Sequence, residues 1–528
     1  MVLQLKKVFI SDEVDPRCVE VLKENGIEVV KDTKLRTDKE KFLAEIAKYD
    51  GLIVRSATKV TADVINAATN LKIIGRAGTG VDNIDCDAAT KRGIIVMNTP
   101  GGNTLSAAEH TCALICCLSR DIPNAVATMR DGKWDRKAFM GSELNGKTLA
   151  IIGLGRIGKE VALRMQSFGM TTIGYDPIIP GSVSSQFGVE WMELEQLWPK
   201  ADYITVHTPL IPQTKNLLGE TSFGKCKKGV KVVNCARGGI IDEVALLKAL
   251  DDGQCGGAGL DVYVSEPPDD YNLAKHPKVI PTPHLGASTV EAQKRVAVEI
   301  AEQFVDVMNG KSLFGAINAQ AMYNALSPAT QPWVTLGKCL GSLLSTQGAD
   351  SKQGVCISYA GTDLKDAGSY LSASVLSGLL ATQAGGEGST LNLVSAPALA
   401  KQLGVNVECK YKSVCSSGLF AEVCVKVGGN TVVGTTSGSQ SLIVSINGTK
   451  FATPAVLSGS MILFQANSSK DLVAKLLGSL TDSGATVTGL SVTTPGQSQW
   501  GLVYLASGST NSLDSIKSLV QSAVLLQL

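Results

Sequence analysis

The run Thr148-Leu149-Ala150-Ile151-Ile152, followed at once by Gly153-Leu154-Gly155-Arg156-Ile157-Gly158, constrains this chain more than any other feature. β-Favouring and apolar residues precede the glycines, and a helical run, Lys159 to Met165, follows them. A second strand-like run, Thr171 to Tyr175, then ends at Asp176. Strand, G-x-G-x-x-G, helix, strand and acid is the order that a dinucleotide fold needs. Gly153 permits the tight turn, Gly155 lets the backbone approach a pyrophosphate at the positive end of the helix, and Gly158 lets helix and strand pack closely. Asp176 is placed to accept hydrogen bonds from ribose hydroxyls, and its charge repels a 2′-phosphate, which favours NAD over NADP.

The fingerprint does not open the chain. Strand-like runs at Val8-Phe9-Ile10, Ile27 to Val30, Gly51 to Val54 and Lys72 to Ile74 alternate with helical runs around Arg17 to Asn25, Asp38 to Lys48 and Thr61 to Ala68. Buried apolar strands alternating with helices describe a first parallel-sheet unit. A strand at Gly93 to Asn98 and a long apolar helix from Asn103 to Ser119 follow; such a helix belongs in a core or at a subunit interface. The second unit continues through Tyr203 to Val206, Val230 to Asn234, Ala258 to Asp261 and Val279-Ile280. The amphipathic run Val290 to Met308 is long enough to return the chain to the first unit, which would make that domain discontinuous.

After about residue 318 the composition shifts to Ser, Gly, Thr, Ala and Val. Strands at Gly354 to Tyr359, Cys424 to Val427 and Ser441 to Ile446 come with hairpin turns at Gly428-Gly429-Asn430 and Asn447-Gly448. After Pro454 the pattern is β-α-β-β-α-β, with helices at Lys470 to Ser483 and Leu513 to Ala523 and a last strand in the final four residues. The fold class expected is therefore α/β: two Rossmann-like, doubly wound parallel-sheet domains, then an α+β domain and a ferredoxin-like module. The expected boundaries are 1–100 completed by 288–318, 101–287, 319–453 and 454–528.

With 528 residues the chain has room for about three or four domains of ~150 residues. The 44% hydrophobic and 18% charged content argues against long disorder. A net charge of +1 supplies no broad basic field, so no nucleic-acid partner is expected. No apolar stretch reaches the ~18 residues of a membrane helix, and Leu5-Lys6-Lys7-Val8 is no secretory signal. The 13 cysteines are odd in number, scattered and without C-x-x-C pairs, which fits a reduced, cytoplasmic protein. Cys112, Cys116 and Cys117 on the apolar helix read as small buried thiols, and no metal is expected.

Hydride transfer at a carbonyl also needs a proton donor near neutrality, which histidine supplies. Of the four histidines, His284 in Pro281-Thr282-Pro283-His284-Leu285-Gly286-Ala287 follows a strand end, where α/β folds place ligands. Arg237 in Asn234-Cys235-Ala236-Arg237-Gly238-Gly239 and Glu266 in Ser265-Glu266-Pro267-Pro268 also follow strands. The arginine suits a carboxylate and a polarised carbonyl; the glutamate favours the protonated imidazole and orients it. His207 reads as structural support beside the cofactor, His110 as a satisfied core residue, and His276 as a loop residue with no visible partner.

These motifs resemble those of the D-isomer-specific 2-hydroxyacid dehydrogenases, over about residues 5 to 318. Gly75-Arg76-Ala77-Gly78-Thr79-Gly80-Val81-Asp82-Asn83-Ile84-Asp85 is similar to a substrate loop of that family, and Val54-Arg55-Ser56-Ala57-Thr58 to a phosphate-side strand end. The two further C-terminal domains match its long, phosphoglycerate-oxidising members. The resemblance implies NAD-dependent oxidation of 3-phosphoglycerate, with Arg237, Glu266 and His284 catalytic. It implies NAD contacts at Gly153, Gly155, Arg156, Ile157, Gly158 and Asp176, with Thr79, Thr208, Cys235, Ala236, Arg237, Asp261, His284, Gly286 and Ala287 around the nicotinamide and phosphates. Arg55, Arg76, Arg237 and His284 would face the substrate, the backbone from Gly78 through Gly80 to Val81 its carboxylate, and Arg136 the phosphate of a neighbouring subunit. The apolar helix from Asn103 suggests a homo-oligomer, a dimer through the nucleotide-binding domains that the C-terminal domains would pair into a tetramer. The last domain is similar to small amino-acid-binding regulatory modules, though no serine-binding loop is legible in it. A glyoxylate or hydroxypyruvate reductase is an alternative, as is a non-enzymatic, dinucleotide-sensing corepressor-like protein; the folded pattern of the C-terminal third argues against the last.

Overall fold

The computed structural model describes residues 3–323, 325–383, 391–496, 498–506 and 512–528. The chain divides into two compact units, one of Met1–Asn98 with Ile300–Leu528 and one of Thr99–Glu299. No helix among the described residues is long and apolar enough to cross a membrane.

The first unit begins with a five-stranded parallel sheet. Its strands are β1 (Lys7–Ile10), β2 (Glu28–Lys31), β3 (Gly51–Val54), β4 (Ile73–Arg76) and β5 (Ile95–Asn98), in the order β2-β1-β3-β4-β5. All of β3 is buried, as its unbroken apolar sequence requires of a strand covered on both faces. The chain returns to this unit within the helix Val290–Met308. Phe304 of that helix is fully buried against the sheet; a Cβ on Gly75 would come within 2.5 Å of its ring.

The second unit holds a seven-stranded, wholly parallel sheet: β6 (Thr148–Ile152), β7 (Thr171–Tyr175), β8 (Glu190–Trp191), β9 (Tyr203–Val206), β10 (Val230–Asn234), β11 (Cys255–Leu260) and β12 (Val279–Pro281). The order β12-β11-β10-β9-β6-β7-β8 reverses direction at β6, and the glycine fingerprint leaves β6 at that switch point. The helix Thr104–Arg120 buries Ala108, Leu114, Ile115 and Leu118 in this unit's own core. The next helix, Ile122–Arg130, which the sequence pattern did not reveal, buries no residue.

The rest of the first unit carries two further sheets. One is β13 (Val355–Ala360), β14 (Val407–Lys412), β15 (Glu422–Val427), β16 (Asn430–Ser437), β17 (Gln440–Ile446) and β18 (Thr449–Val456), in the order β14-β13-β15-β16-β17-β18, antiparallel except for β13 with β14. The hairpin turns lie where their sequences place them, with Gly428, Asn447 and Gly448 at φ of 56°, 49° and 80°. The expected boundary between 453 and 454 falls inside β18. Pro454 is accommodated there because β18 is an edge strand and a ladder N–H is dispensable. The helices Gln331–Thr346 and Gly368–Leu379 were not legible as amphipathic runs, because the second is buried almost throughout. They pack backbone to backbone: a Cβ on Gly341 would lie 2.0 Å from the Val375 carbonyl oxygen, and one on Gly378 2.1 Å from that of Lys338.

The last sheet, β19 (Ser460–Asn467), β20 (Val487–Val492), β21 (Ser498–Leu505) and β22 (Ser522–Gln527), is antiparallel in the order β20-β21-β19-β22, with helices Leu472–Asp482 and Ser512–Ile516. That is the ferredoxin-like arrangement. The helix expected to reach Ala523 stops at Ile516, because the apolar run from Ser522 pairs with β19 instead.

Gly→Ala inside a helix ordinarily stabilises by about 1 kcal/mol. At Gly341 the added methyl would collide with the facing backbone, so Gly341→Ala should lower the unfolding midpoint, an overpacking cost of about 1–3 kcal/mol. Gly478→Ala, on a helix where nothing lies within 4 Å, should raise it. Denaturant titration of both variants checks this, and a raised midpoint for Gly341→Ala would refute the close packing.

Candidate active site

The turn after β6 has the geometry that the glycine spacing implied. Gly153 adopts a φ of 96°. A Cβ on Gly158 would sit 2.0 Å from the Gly153 carbonyl oxygen, so the helix Arg156–Gln166 closes directly onto the turn. Gly155 differs: nothing lies within 4 Å of its would-be Cβ. It is the N-cap of that helix and supplies no capping side chain, which leaves the first helical amides facing an open cradle. Arg156 is exposed beside it and Ile157 half-buried.

Asp176, at the end of β7, braces this turn. Its Oδ2 accepts from Leu154 N at 2.8 Å, and its Oδ1 from Ile178 N at 2.8 Å and Ile179 N at 3.0 Å. A carboxylate has about four acceptor sites, so with three taken one remains for a ribose hydroxyl. Thr208 Oγ1 is buried without a hydrogen-bond partner. An open glycine cradle, uncapped amides, an acid one strand away and an orphaned hydroxyl fit a dinucleotide. His207 hydrogen-bonds Thr205 Oγ1 through Nε2 at 3.1 Å, and burial pushes its pKa down to about 3, so it is a neutral supporting side chain.

Three neighbouring strands of the same sheet deliver the proposed catalytic residues. Arg237 follows β10, Glu266 follows β11 and His284 follows β12. The Arg237 loop is held by Asn234, whose Nδ2 donates to the Arg237 carbonyl at 2.8 Å and whose Oδ1 accepts from Ala236 N at 2.9 Å. Arg237 Nη1 also donates to the Ala236 carbonyl at 2.7 Å. Gly238 lets this loop pass against the Glu266 loop, since a Cβ there would lie 1.9 Å from the Tyr263 carbonyl oxygen. Glu266 Oε1 accepts from Tyr263 N at 3.1 Å, and its Oε2 meets His284 Nδ1 at 2.6 Å.

His284 itself has a φ of 57°. Its pKa is raised, chiefly by the hydrogen bond to Glu266 and against the opposing effects of burial and the nearby Arg237 cation. Burial alone would raise the Glu266 pKa, but the His284 hydrogen bond and charge outweigh it and hold the carboxyl below its ordinary value. The pair is thus an imidazolium-stabilising couple with Nε2 left for chemistry. Asp261 is 1% exposed and accepts from Leu285 N at 2.7 Å and Gly286 N at 2.8 Å, directly after His284. The Ala287 carbonyl accepts from Gln293 Nε2 at 2.8 Å. His276, expected to lack a partner, lies 3.4 Å from Asp251 Oδ1.

His110, Cys235 and Asp261 have donor atoms within 4.8 Å of one another. Burial pushes the Cys235 thiol up to about 12, and the Asp261 oxygens already accept several hydrogen bonds; the trio suits a hydrogen-bonded core better than a cation.

In the first unit, Arg55 follows β3 and Arg76 ends β4. Asn83 links them: its Oδ1 accepts from Arg76 Nε at 3.2 Å, and its Nδ2 donates to the carbonyls of Arg55 and Thr58, each at 2.6 Å. Asp12, 2% exposed, holds the same loop by accepting from Arg55 N at 2.6 Å and Thr58 N at 3.1 Å. Sequence reasoning passed over both residues; the acid directly past β1 was the available signal. Burial lowers the Arg55 pKa, Asp12 opposing it, and Arg55 Nε is buried without a partner. Gly78 N donates to the Arg76 carbonyl at 2.9 Å, so this amide, expected to meet a substrate carboxylate, is engaged within its own turn. The Thr79 carbonyl accepts from Asn98 Nδ2, and Gly80 and Val81 are half-buried beside it. Arg136 belongs to the second unit, on an exposed stretch with Trp134, itself 77% exposed.

The nucleotide cradle and the imidazole–carboxylate couple on one parallel sheet define the class as an NAD-dependent dehydrogenase. Residues 112–286 match the family model described as D-isomer specific 2-hydroxyacid dehydrogenase, NAD binding domain, and residues 329–447 that of the D-3-phosphoglycerate dehydrogenase intervening domain. A Homo sapiens D-3-phosphoglycerate dehydrogenase is 51% identical over 488 residues, 91% of each chain. One from Bacillus subtilis is 44% identical over 448 residues, 84% of each. Among solved structures, an Aquifex aeolicus D-lactate dehydrogenase complexed with NAD and lactic acid superposes with a TM-score of 0.53 at 28% identity, covering 59% of this chain and 99% of that one. The chain belongs to the D-3-phosphoglycerate dehydrogenase family of D-isomer-specific 2-hydroxyacid dehydrogenases.

Gly238→Ala should push the Arg237 loop off the Tyr263 carbonyl. A misplacement of about 1 Å at such a site costs roughly 10²-fold in turnover. Steady-state kinetics beside NADH-binding titration test this; unchanged turnover would mean that the loop contact does not set the position of Arg237.

Proposed function

We propose that this protein oxidises 3-phospho-D-glycerate at C2 to 3-phosphohydroxypyruvate, the first step of the phosphorylated route to L-serine. The observation that carries the reading is the 2.6 Å bond between His284 Nδ1 and Glu266, on the same sheet edge as Arg237, in a chain whose relatives bear that enzyme's name. NAD, when bound, supplies the hydride acceptor. His284 Nε2 takes the proton of the C2 hydroxyl, and Glu266 stabilises the imidazolium that forms. Arg237 holds the C1 carboxylate and stabilises charge on the C2 oxygen. Arg55 and Arg76, tied by Asn83, bind the anionic remainder of the substrate. Asp176 takes the ribose hydroxyls, and Gly155, Arg156, Ile157 and Thr208 the pyrophosphate.

The reading also extends to organisation. It takes 1–100 with 288–318 as the substrate domain, 101–287 as the nucleotide domain, and the last two sheets as the intervening and regulatory-type domains. It takes the protein as a cytoplasmic homo-oligomer. What supports association is the set of exposed apolar side chains Ile122, Val126 and Met129 on the helix Ile122–Arg130, with Trp134 and Met140 exposed in the segment after it, rather than the helix Thr104–Arg120, which is used within its own unit. Arg136, exposed a few residues further along the chain, would act in a neighbouring active site.

NADH consumption with 3-phosphohydroxypyruvate should far exceed that with unphosphorylated hydroxypyruvate; equal or reversed preference would discard the phosphoglycerate reading. His284→Ala should cost orders of magnitude in turnover with NADH binding retained, and intact turnover would remove His284 from the mechanism. Because the His284 pKa is raised, the free base that oxidation needs appears at higher pH than for an ordinary histidine, so oxidation rises with pH through that limb while reduction falls. Glu266→Gln should move both limbs to lower pH, and limbs that stay in place would contradict the pairing.

A further inference from the structure

The loop that carries His284 is pinned from below by a chain of hydrogen bonds that begins on a different element. His110 projects from the helix Thr104–Arg120, and its Nε2 lies 3.0 Å from Thr282 Oγ1 and 3.2 Å from Asp261 Oδ1. Thr282 Oγ1 in turn donates to Asp261 Oδ1 at 2.6 Å. The carboxylate then accepts from Leu285 N on Oδ1 and from Gly286 N on Oδ2. The direction of the chain is fixed by chemistry. An ionised Asp261 only accepts, and the Thr282 hydroxyl has one proton, which it gives to Asp261. Both neighbours of His110 Nε2, Thr282 Oγ1 and Asp261 Oδ1, can then only accept from it, so His110 carries a proton on Nε2. The sequence two residues before His284 and the two amides after it are thereby tied to one buried carboxylate, across a residue whose φ of 57° is uncommon for histidine.

We propose that His110 is a positioning residue for the reaction, acting through Thr282 and Asp261 to hold the His284 imidazole against Glu266. The inference rests on His284 being the acid/base of the proposed function. His110 touches neither the cradle at Gly155 nor the Glu266 carboxylate; it fixes the strand end from which His284 departs. The Asp261 carboxyl is held below its ordinary value despite burial, by hydrogen bonds from His110, Thr282 and the two amides, which keeps the acceptor ionised. Charged groups that act on His284 are Glu266, Asp261 and Arg237, so a change in its titration can be read against those three.

The test compares His110→Leu, His110→Gln and Thr282→Val in the full-length protein. Each is assayed for kcat, KM for NAD and the pH profile of kcat/KM, with His284→Ala alongside. His110→Leu should lower kcat about tenfold, with KM for NAD changed less than twofold. The limb that reports His284 should move to lower pH, because the bond to Glu266 is no longer held short. His110→Gln, which retains an N–H donor, should restore kcat to within about threefold. Thr282→Val, of nearly the same shape, should shift the pH limb in the same direction. If His110→Leu and Thr282→Val leave both kcat and the pH limb in place while His284→Ala is inactive, the positioning role is refuted and the proposed function stands. If His284→Ala is active, the acid/base reading fails, and the positioning role with it. Should His110→Leu fail to fold, Thr282→Val decides: an unmoved limb overturns the inference.

Discussion

Parallel pairing of β10 with β11 and of β11 with β12 puts three loops side by side at one sheet edge, and each loop delivers one charged side chain. These strands are largely apolar and their side chains fill two buried clusters, one on each face of the sheet. Close backbone approaches then fix the loops against each other. Gly238 against Tyr263 couples the arginine to the glutamate, and the Asp261 carboxylate couples the histidine loop to the sheet. A site built in this manner holds its geometry before any ligand arrives, which is where much of the advantage of such a site lies.

The first unit reaches a comparable result with different parts. Asp12 and Asn83 are uninvolved in any expected chemistry, yet between them they hold the backbone of Arg55 and the side chain of Arg76. Arg55 is partly desolvated, and the buried Asp12 carboxylate, which also pairs with Arg36 at 3.2 Å, offsets that cost with a negative charge.

What the sequence made legible follows from periodicity and glycine spacing. β3, β6, β7, β9 and β10 begin and end where their apolar runs do, and the helix Val290–Met308 matches its pattern. Arg237, Glu266 and His284 stand where strand ends put them. Features set by tertiary packing were not legible. The buried helix Gly368–Leu379 has no polar face to betray a period, and the chain after Ile516 is apolar enough to be helix or strand until β19 claims it. Asp12 and Asn83 look like ordinary loop residues until the backbone groups they satisfy are known. His110 read as a core residue because the sequence could not show that Thr282 would fold beneath it.

The backbone-to-backbone contact of Gln331–Thr346 with Gly368–Leu379 has a consequence for how the protein responds to its surroundings. That interface is built of buried leucines, with glycines and serines at the points of closest approach. The sheet of β1 to β5 is bordered instead by surface ion pairs such as Lys7–Glu28 and Lys31–Glu13. Such pairs weaken once the screening length falls below about 10 Å, as it does above 0.1 M salt. Ionic strength therefore acts more on the outer rim of the arginine-bearing sheet than on the apolar helix pair, though each exposed pair contributes only about 0–1 kcal/mol.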